Sequence, residues 1–298
     1  MGYLFALLAV AAGAAKGYCG KRTSGHVIGF AEAMLANCIR MCLCIVIGFL
    51  LLGFQGQVAL LQVDRLALLI MVGSGIATSA FVVSWIIAVK RSAYMMLDVF
   101  LLLGVLVPMV LCKWLYAEPI SGAQWIGLGI LVAAVFIMCS YSAGIKGKFS
   151  IGAYAVLLLC GLANGLADFC QKSYAHFYPH GNAAVFNFYT YVVAAVVLGA
   201  CYLLSWKKGG EGIRPVKEIV PPIFGYVAVM AICLFAHAYF KVLASGYLTA
   251  TQLFPLLQGS GIAVSTLMSA LFFKEMVNLR CVAGLVLAFG ALLIMNLL

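Results

Sequence analysis

From Ser92 to Met138 the chain reads SAYMMLDVFLLLGVLVPMVLCKWLYAEPISGAQWIGLGILVAAVFIM. The pattern returns, diverged, from Thr249 to Met295 as TATQLFPLLQGSGIAVSTLMSALFFKEMVNLRCVAGLVLAFGALLIM. With Glu118 laid on Glu275, Ala93 meets Ala250, Gly104 meets Gly261, Gly127 and Leu128 meet Gly284 and Leu285, and Ile137 and Met138 meet Ile294 and Met295. Each copy is an apolar run, a short turn holding one Glu, and a second apolar run. Such a repeat constrains the architecture more than any single residue does.

Composition identifies the solvent. With 66% of 298 residues hydrophobic, 9% charged and a mean hydropathy of +1.15, there is too little polar surface to cover a water-soluble globule. Lipid has to be the main solvent. Backbone groups in hydrocarbon must be satisfied within a helix or a closed barrel, and apolar runs near 20 residues without period-2 alternation select helices. The expectation is an all-α integral membrane protein.

Apolar runs between loop signals predict ten spans: about 2–20, 30–53, 67–89, 92–115 and 122–141, then 151–172, 182–205, 220–243, 248–271 and 279–298. The opening MGYLFALLAVAAGAAKGYC could pass for a signal peptide, but it lacks a basic leading region and has a counterpart at the start of the second half. The early helices match too, Leu198 and Gly199 falling on Ile47 and Gly48, and Gly165 near Gly13. The repeat therefore divides the chain into residues 1–145 and 146–298, hinged at Tyr141 to Ser150. Because each half has an odd number of helices, the halves must be inverted relative to each other.

The formal net charge of +10 resides in short connections, not in a basic stripe interleaved with aromatics, so it is a topology signal and not a nucleic-acid surface. Connections after the odd-numbered helices carry Lys21, Arg22, Lys90, Arg91, Lys146, Lys148, Lys207, Lys208, Arg214, Lys217, Lys274 and Arg280. The positive-inside rule then puts both termini outside. The 11 cysteines fall mostly inside apolar runs, and the close groupings Cys38/Cys42 and Cys42/Cys44 have no neighbouring His or carboxylate. No metal, redox role or cofactor is expected.

PMVLCKWLYAEPISGAQWIGLGIL from Pro108, STLMSALFFKEMVNLRCVAGLVLAFG from Ser265, Arg40 within the second helix, and AVKRSA at 88–93 together resemble the drug/metabolite transporter superfamily, in its ten-helix EamA-type branch. The resemblance spans nearly the whole chain. It implies two five-helix repeats and a transporter, not an enzyme, that moves a small metabolite, amino acid or drug-like solute, with export the usual direction. It also implies cytoplasmic termini, against the charge distribution. The chain departs from the pattern where Ser265 replaces the proline found at Pro108, and where Pro255 stands opposite Asp98.

Several residues are weighed for the site. Glu118 and Glu275 read mainly as helix-start signals, since Ser121 can cap the following helix with Gln124 completing a capping box. Gly13/Gly17 and Gly161/Gly165 have the spacing that lets helices approach closely. Ionisable groups at membrane depth carry more weight, because an unpaired charge there demands a partner or water. At ~1.5 Å per residue Lys16 and Asp98 both lie ~7 to 8 Å from the midplane on one side, so they can pair. Asp168, His237 and Lys241 offer the reciprocal arrangement, and Arg40 can reach Asp98, Glu32 or a substrate carboxylate.

Either these groups line a cavity in which Asp168 or Asp98 takes up a proton, or they are packing pairs. Ser74, Thr78, Ser84, Tyr94, Asn164, Asn187, Gln252 and Gln258 are candidate neutral lining. The substrate and coupling candidates are thus Lys16, Arg40, Asp98, Asn164, Asp168, His237, Lys241, Gln252 and Gln258. No G-x-x-x-x-G-K-[ST] is present, so energy would come from a gradient or exchange. The expected partners are a small solute, the bilayer and protons, in a multi-pass integral membrane setting that would be the inner or plasma membrane if the source is bacterial. Rival readings are sugar or nucleotide-sugar transport by the same fold, and an intramembrane lipid-modifying enzyme.

Overall fold

The computed structural model describes residues 1–24, 26–27, 29–90, 100–140, 151–207, 216–273 and 279–297. In chain order it contains α1 (Gly2–Ser24), α2 (Phe30–Phe54), a 3-10 turn (Val58–Leu61), α3 (Arg65–Lys90), α4 (Leu106–Tyr116), α5 (Gly122–Ser140), α6 (Ile151–Phe177), α7 (Ala183–Lys207), α8 (Val216–Ser245), α9 (Ala250–Phe273) and α10 (Leu279–Leu297). No strand occurs among the described residues. The helices lie where the apolar runs predict them. Residues 100–104 are also helical, so the fourth run is one helix interrupted at Val105. The interruption has a cause: Pro108 has no N–H to give the Gly104 carbonyl, and Val105 turns back to Leu102 at 3.0 Å instead.

Six helices are long and apolar enough to cross a membrane: Gly2–Gly20, Phe30–Phe54, Arg65–Ala88, Tyr154–Phe177, Ala183–Trp206 and Val216–Ser245. Their exposed surface is apolar, with Leu7, Phe49, Leu69, Val196 and Ile232 all open to solvent, which only lipid makes tolerable. Exposed aromatics gather at both ends of the bundle. Tyr3, Trp114, Trp125 and Tyr247 lie at one end and Tyr154, Trp206 and Tyr226 at the other, as interfacial belts do. The chain is an all-α protein suited to a membrane.

Packing runs mostly between the first five helices and the last five. α1 packs on α8 and α3 on α6, α2 on α7 and α5 on α10; α3 meets α7 as α2 meets α8, α1 meets α9 as α4 meets α6, and α4 touches α9. Exchanging the two sets of helices in order returns these pairs, while α6 with α8 and α9 with α10 have no counterpart of similar extent among the described residues. The largest cluster joins Met34, Met41 and Leu52 of α2 to Phe186, Tyr191 and Leu198 of α7 and Phe235 of α8. The start of α1 and the end of α10 lie at one end of the bundle, where Gly2 abuts Tyr247 and Leu248, and Gln124 reaches the Met295 carbonyl at 3.5 Å. We call this the terminal end, and the other the far end.

Two seams that correspond under the exchange differ in width. At the α4–α6 seam Gly104, Gly161 and Gly165 interlock. A Cβ on Gly161 would strike the Phe100 carbonyl, one on Gly165 the Gly104 carbonyl, and one on Gly104 the Gly161 carbonyl. The small-residue spacing does bring backbones together here. At the α1–α9 seam, Ala6 and Val10 pack with Phe254 and Leu257 near the terminal end. The same stripes, at i+11 from Ala6 and from Ala250, then reach Gly17 and Gly261, both exposed, where an added Cβ meets no described atom within 4 Å. Nearer the far end the two helices meet again, Tyr18 lying edge-on to Phe272 with ring centroids 5.5 Å apart, so the seam is loose at Gly17 and Gly261 and closed on either side of them.

Candidate functional site

Glu118 is aimed by its turn. Ala117 closes α4 in the left-handed region at φ 53°, and the Glu118 N–H returns to the Cys112 carbonyl at 3.3 Å, a Schellman closure followed by Pro119. The predicted capping box is present, Ser121 N–H donating to Gln124 Oε1 at 3.0 Å and Gln124 N–H to Ser121 Oγ at 3.1 Å. Glu118 itself serves a different helix. Its Oε2 accepts the Ala250 N–H at the start of α9 at 2.8 Å, and its Oε1 pairs with Lys172 Nζ at 3.0 Å. Lys172 donates further to the carbonyls of Ser245 at 2.9 Å and Leu248 at 2.6 Å, where α8 ends. Each charge thus meets the helix end of opposite sign.

A second polar clamp closes the same end. Tyr178, just past α6, donates its hydroxyl to Asp64 Oδ2 at 2.6 Å, and Asp64 also caps α3 through the Leu66 N–H at 3.2 Å. Asn182 donates to Gln57 at 2.6 Å while capping α7 through the Ala184 N–H at 2.7 Å, and Tyr189 donates to the Leu61 carbonyl at 2.7 Å. The Tyr178 hydroxyl holds the Asp64 carboxyl below the usual carboxylate range. The connections on the terminal end are therefore tied together in two pairs.

Beneath these clamps lies an ionic centre. Lys241 Nζ of α8 donates to Asp168 Oδ1 of α6 at 2.6 Å, with side chains 11% and 9% exposed. Lys16 of α1 lies within electrostatic range of Arg40, Lys241, Asp168 and Cys233. Arg40 of α2 faces Cys44 and Tyr191, and its Nε is buried with no hydrogen-bond partner. Lys16 and Arg40 are both half-buried among the surrounding helices. His237 joins them from α8: its Nδ1 lies 2.7 Å from the Ala9 carbonyl, which can only accept, so the proton sits on Nδ1 and Nε2 is left over. Gly13 makes room for that ring, a Cβ there coming within 3.1 Å of Nδ1.

The sequence candidates fare differently. Lys16, Arg40, Asp168, His237 and Lys241 converge. Asn164 is half-buried on α6 and Gln258 half-buried on α9. Gln252 accepts the Thr249 N–H at 3.3 Å and so helps start α9. Asp98, Tyr94 and Glu275 lie outside the described residues. Among the candidate lining, Ser74 and Asn187 are buried with Oγ and Nδ2 unpartnered, joined in this by Gln171 and Thr190. Gln171 and Lys172 escaped sequence reading, although Lys172 is one turn from Asp168 and Gln171 stands beside it. An apolar groove of 310 Å³ between α3, α6 and α7 is a separate feature; its Ser79 and Ser84 donate to carbonyls of their own helix.

The fold recurs among solved structures. One crystal structure, described only as that of a protein, superposes with a TM-score of 0.75 over 99% of this chain and 96% of its own, at 15% identity. No protein-family model matches the chain, and no curated protein matches it in sequence.

Proposed function

We propose that the chain is a secondary transporter, in which two inverted five-helix halves, residues 1–145 and 146–298, enclose a central binding site and expose it to each side in turn. One observation carries this reading: five ionisable groups, Lys16, Arg40, Asp168, His237 and Lys241, converge inside the bundle beneath two polar clamps that tie the terminal end. The near-exchange of helix pairs between the first five helices and the last five, with one glycine seam tight and its counterpart loose, supports two alternative arrangements of the same helices. The drug/metabolite transporter resemblance of the sequence points the same way and suggests a small metabolite, amino acid or drug-like solute, exported.

Coupling to protons would run through Asp168, which Lys241 engages at 2.6 Å in this state. The test is flux in proteoliposomes against a metabolite panel, with and without a pH gradient. The expected result is saturable flux of one solute class, whose gradient dependence Asp168→Asn abolishes. Unchanged coupling in that variant removes Asp168 from the mechanism. No flux for any solute, with turnover of a lipid instead, overturns the transporter reading in favour of an intramembrane enzyme.

A further inference from the structure

The ionic centre is electrically unbalanced, and the imbalance is localised. Asp168 is engaged by Lys241, and Glu118 by Lys172, which leaves Lys16 and Arg40 with no carboxylate at ion-pair distance among the described residues. Arg40 keeps a buried Nε without a partner, and Lys16 lies within electrostatic range of a second and third cation, Arg40 and Lys241. Two like charges held together away from water oppose folding, and chains commonly relieve this with a neighbouring acid. Here no described carboxylate does so for Lys16 or Arg40, and the Arg40 Nε is left buried without a partner.

We infer that Lys16 and Arg40 bind the oxyanion end of a small organic solute, a carboxylate or a phosphate, entering along the α1–α9 seam where Gly17 and Gly261 leave it least filled and the Tyr18–Phe272 contact would have to open. The entry route rests on the transporter reading; the binding site does not. A planar guanidinium takes two oxygens side by side and an ammonium supplies a point charge, so the pair suits a flat or tetrahedral oxyanion better than a spherical halide. The two uncompensated charges set the cargo's anionic charge at one or two. His237 Nε2 and the Asp168–Lys241 pair then border the remainder of the solute and discriminate among its polar groups.

Purified full-length protein is melted in detergent at constant ionic strength with acetate, succinate or inorganic phosphate, with chloride and choline as controls. At least one oxyanion raises Tm saturably while chloride and choline do not, and comparing acetate with phosphate tells which oxyanion chemistry is read. Lys16→Met and Arg40→Met each weaken that response by about tenfold or more, and each raises Tm of the unliganded protein by removing an unpaired buried charge. Arg40→Lys keeps the charge and loses the fork, so it retains part of the response; Lys217→Gln, exposed at the start of α8, retains all of it. Absence of any oxyanion-specific shift overturns the inference, as does a wild-type response in Lys16→Met and Arg40→Met, or a lowered unliganded Tm in both. Oxyanion binding without flux of any solute keeps the site and sinks the transporter reading; flux of a solute with no oxyanion response keeps the transporter and sinks the site.

Discussion

Ala117 occupies left-handed backbone at φ 53°, which costs a residue bearing a Cβ about 1 kcal/mol. The turn swings Glu118 away from α5, whose start Ser121 and Gln124 already cap, and onto Lys172 and the Ala250 N–H. The capping box was legible because both its members lie within four residues. The engagement of Glu118 was not, because Lys172 and Ala250 are distant in sequence and no local pattern encodes them. Asp64 offers a pH test at this scale. Its carboxyl is held low in the folded chain by the Tyr178 hydroxyl, so the contact is fully present above the ordinary carboxylate range and is lost as pH falls through the lowered value. Tyr178→Phe should raise the Asp64 titration toward its ordinary position, read from carboxyl carbon shifts of labelled Asp; an unmoved titration would show that the hydroxyl is not its cause.

Helices pair here by the sizes of their smallest residues. Gly104, Gly161 and Gly165 allow α4 and α6 to touch backbone to backbone, and the carbonyl freed by Pro108 lies against Gly165. Alanine at Gly161 or Gly165 should force the helices apart and destabilise the fold by about 3 kcal/mol, as overpacking does, whereas Gly17→Ala and Gly261→Ala should leave Tm nearly unchanged. Equal effects at all four positions would deny the difference between the seams. The glycine spacing in α1 and in α6 looks alike in sequence, and both pairs read as close-packing motifs. Only the structure separates them, since what a glycine faces depends on the partner helix: Gly13 faces the His237 ring and Gly17 faces open space.

At the largest scale the apolar runs foretold an all-α chain suited to a membrane, because lipid-facing surface imposes its pattern, and six of the described helices are long and apolar enough to cross. The runs could not foretell which helices touch, since α1 with α8 and α3 with α6 join segments from opposite halves. Membrane depth already set Asp168 with His237 and Lys241; packing selects Lys241 as its partner, at 2.6 Å. The Glu118–Lys172 pair, with side chains 15% and 9% exposed, is the strongest tie across the terminal end, and Lys172→Met should lower stability by about 3 kcal/mol by leaving Glu118 unmatched. The same substitution should change access. In a cysteine-free background, Gly17→Cys should react with a membrane-impermeant maleimide from the far end alone, and from both ends once Lys172 is replaced; labelling indifferent to Lys172 would mean that the clamp does not hold the seal. The uncompensated Lys16 and Arg40 have a further consequence for the bilayer. In the proposed transporter, two fixed positive charges in the binding centre would repel sodium and potassium. Such a carrier, when empty, would be insulated against dissipating the cation gradients of its membrane, and that insulation would relax only while an anion occupied the centre.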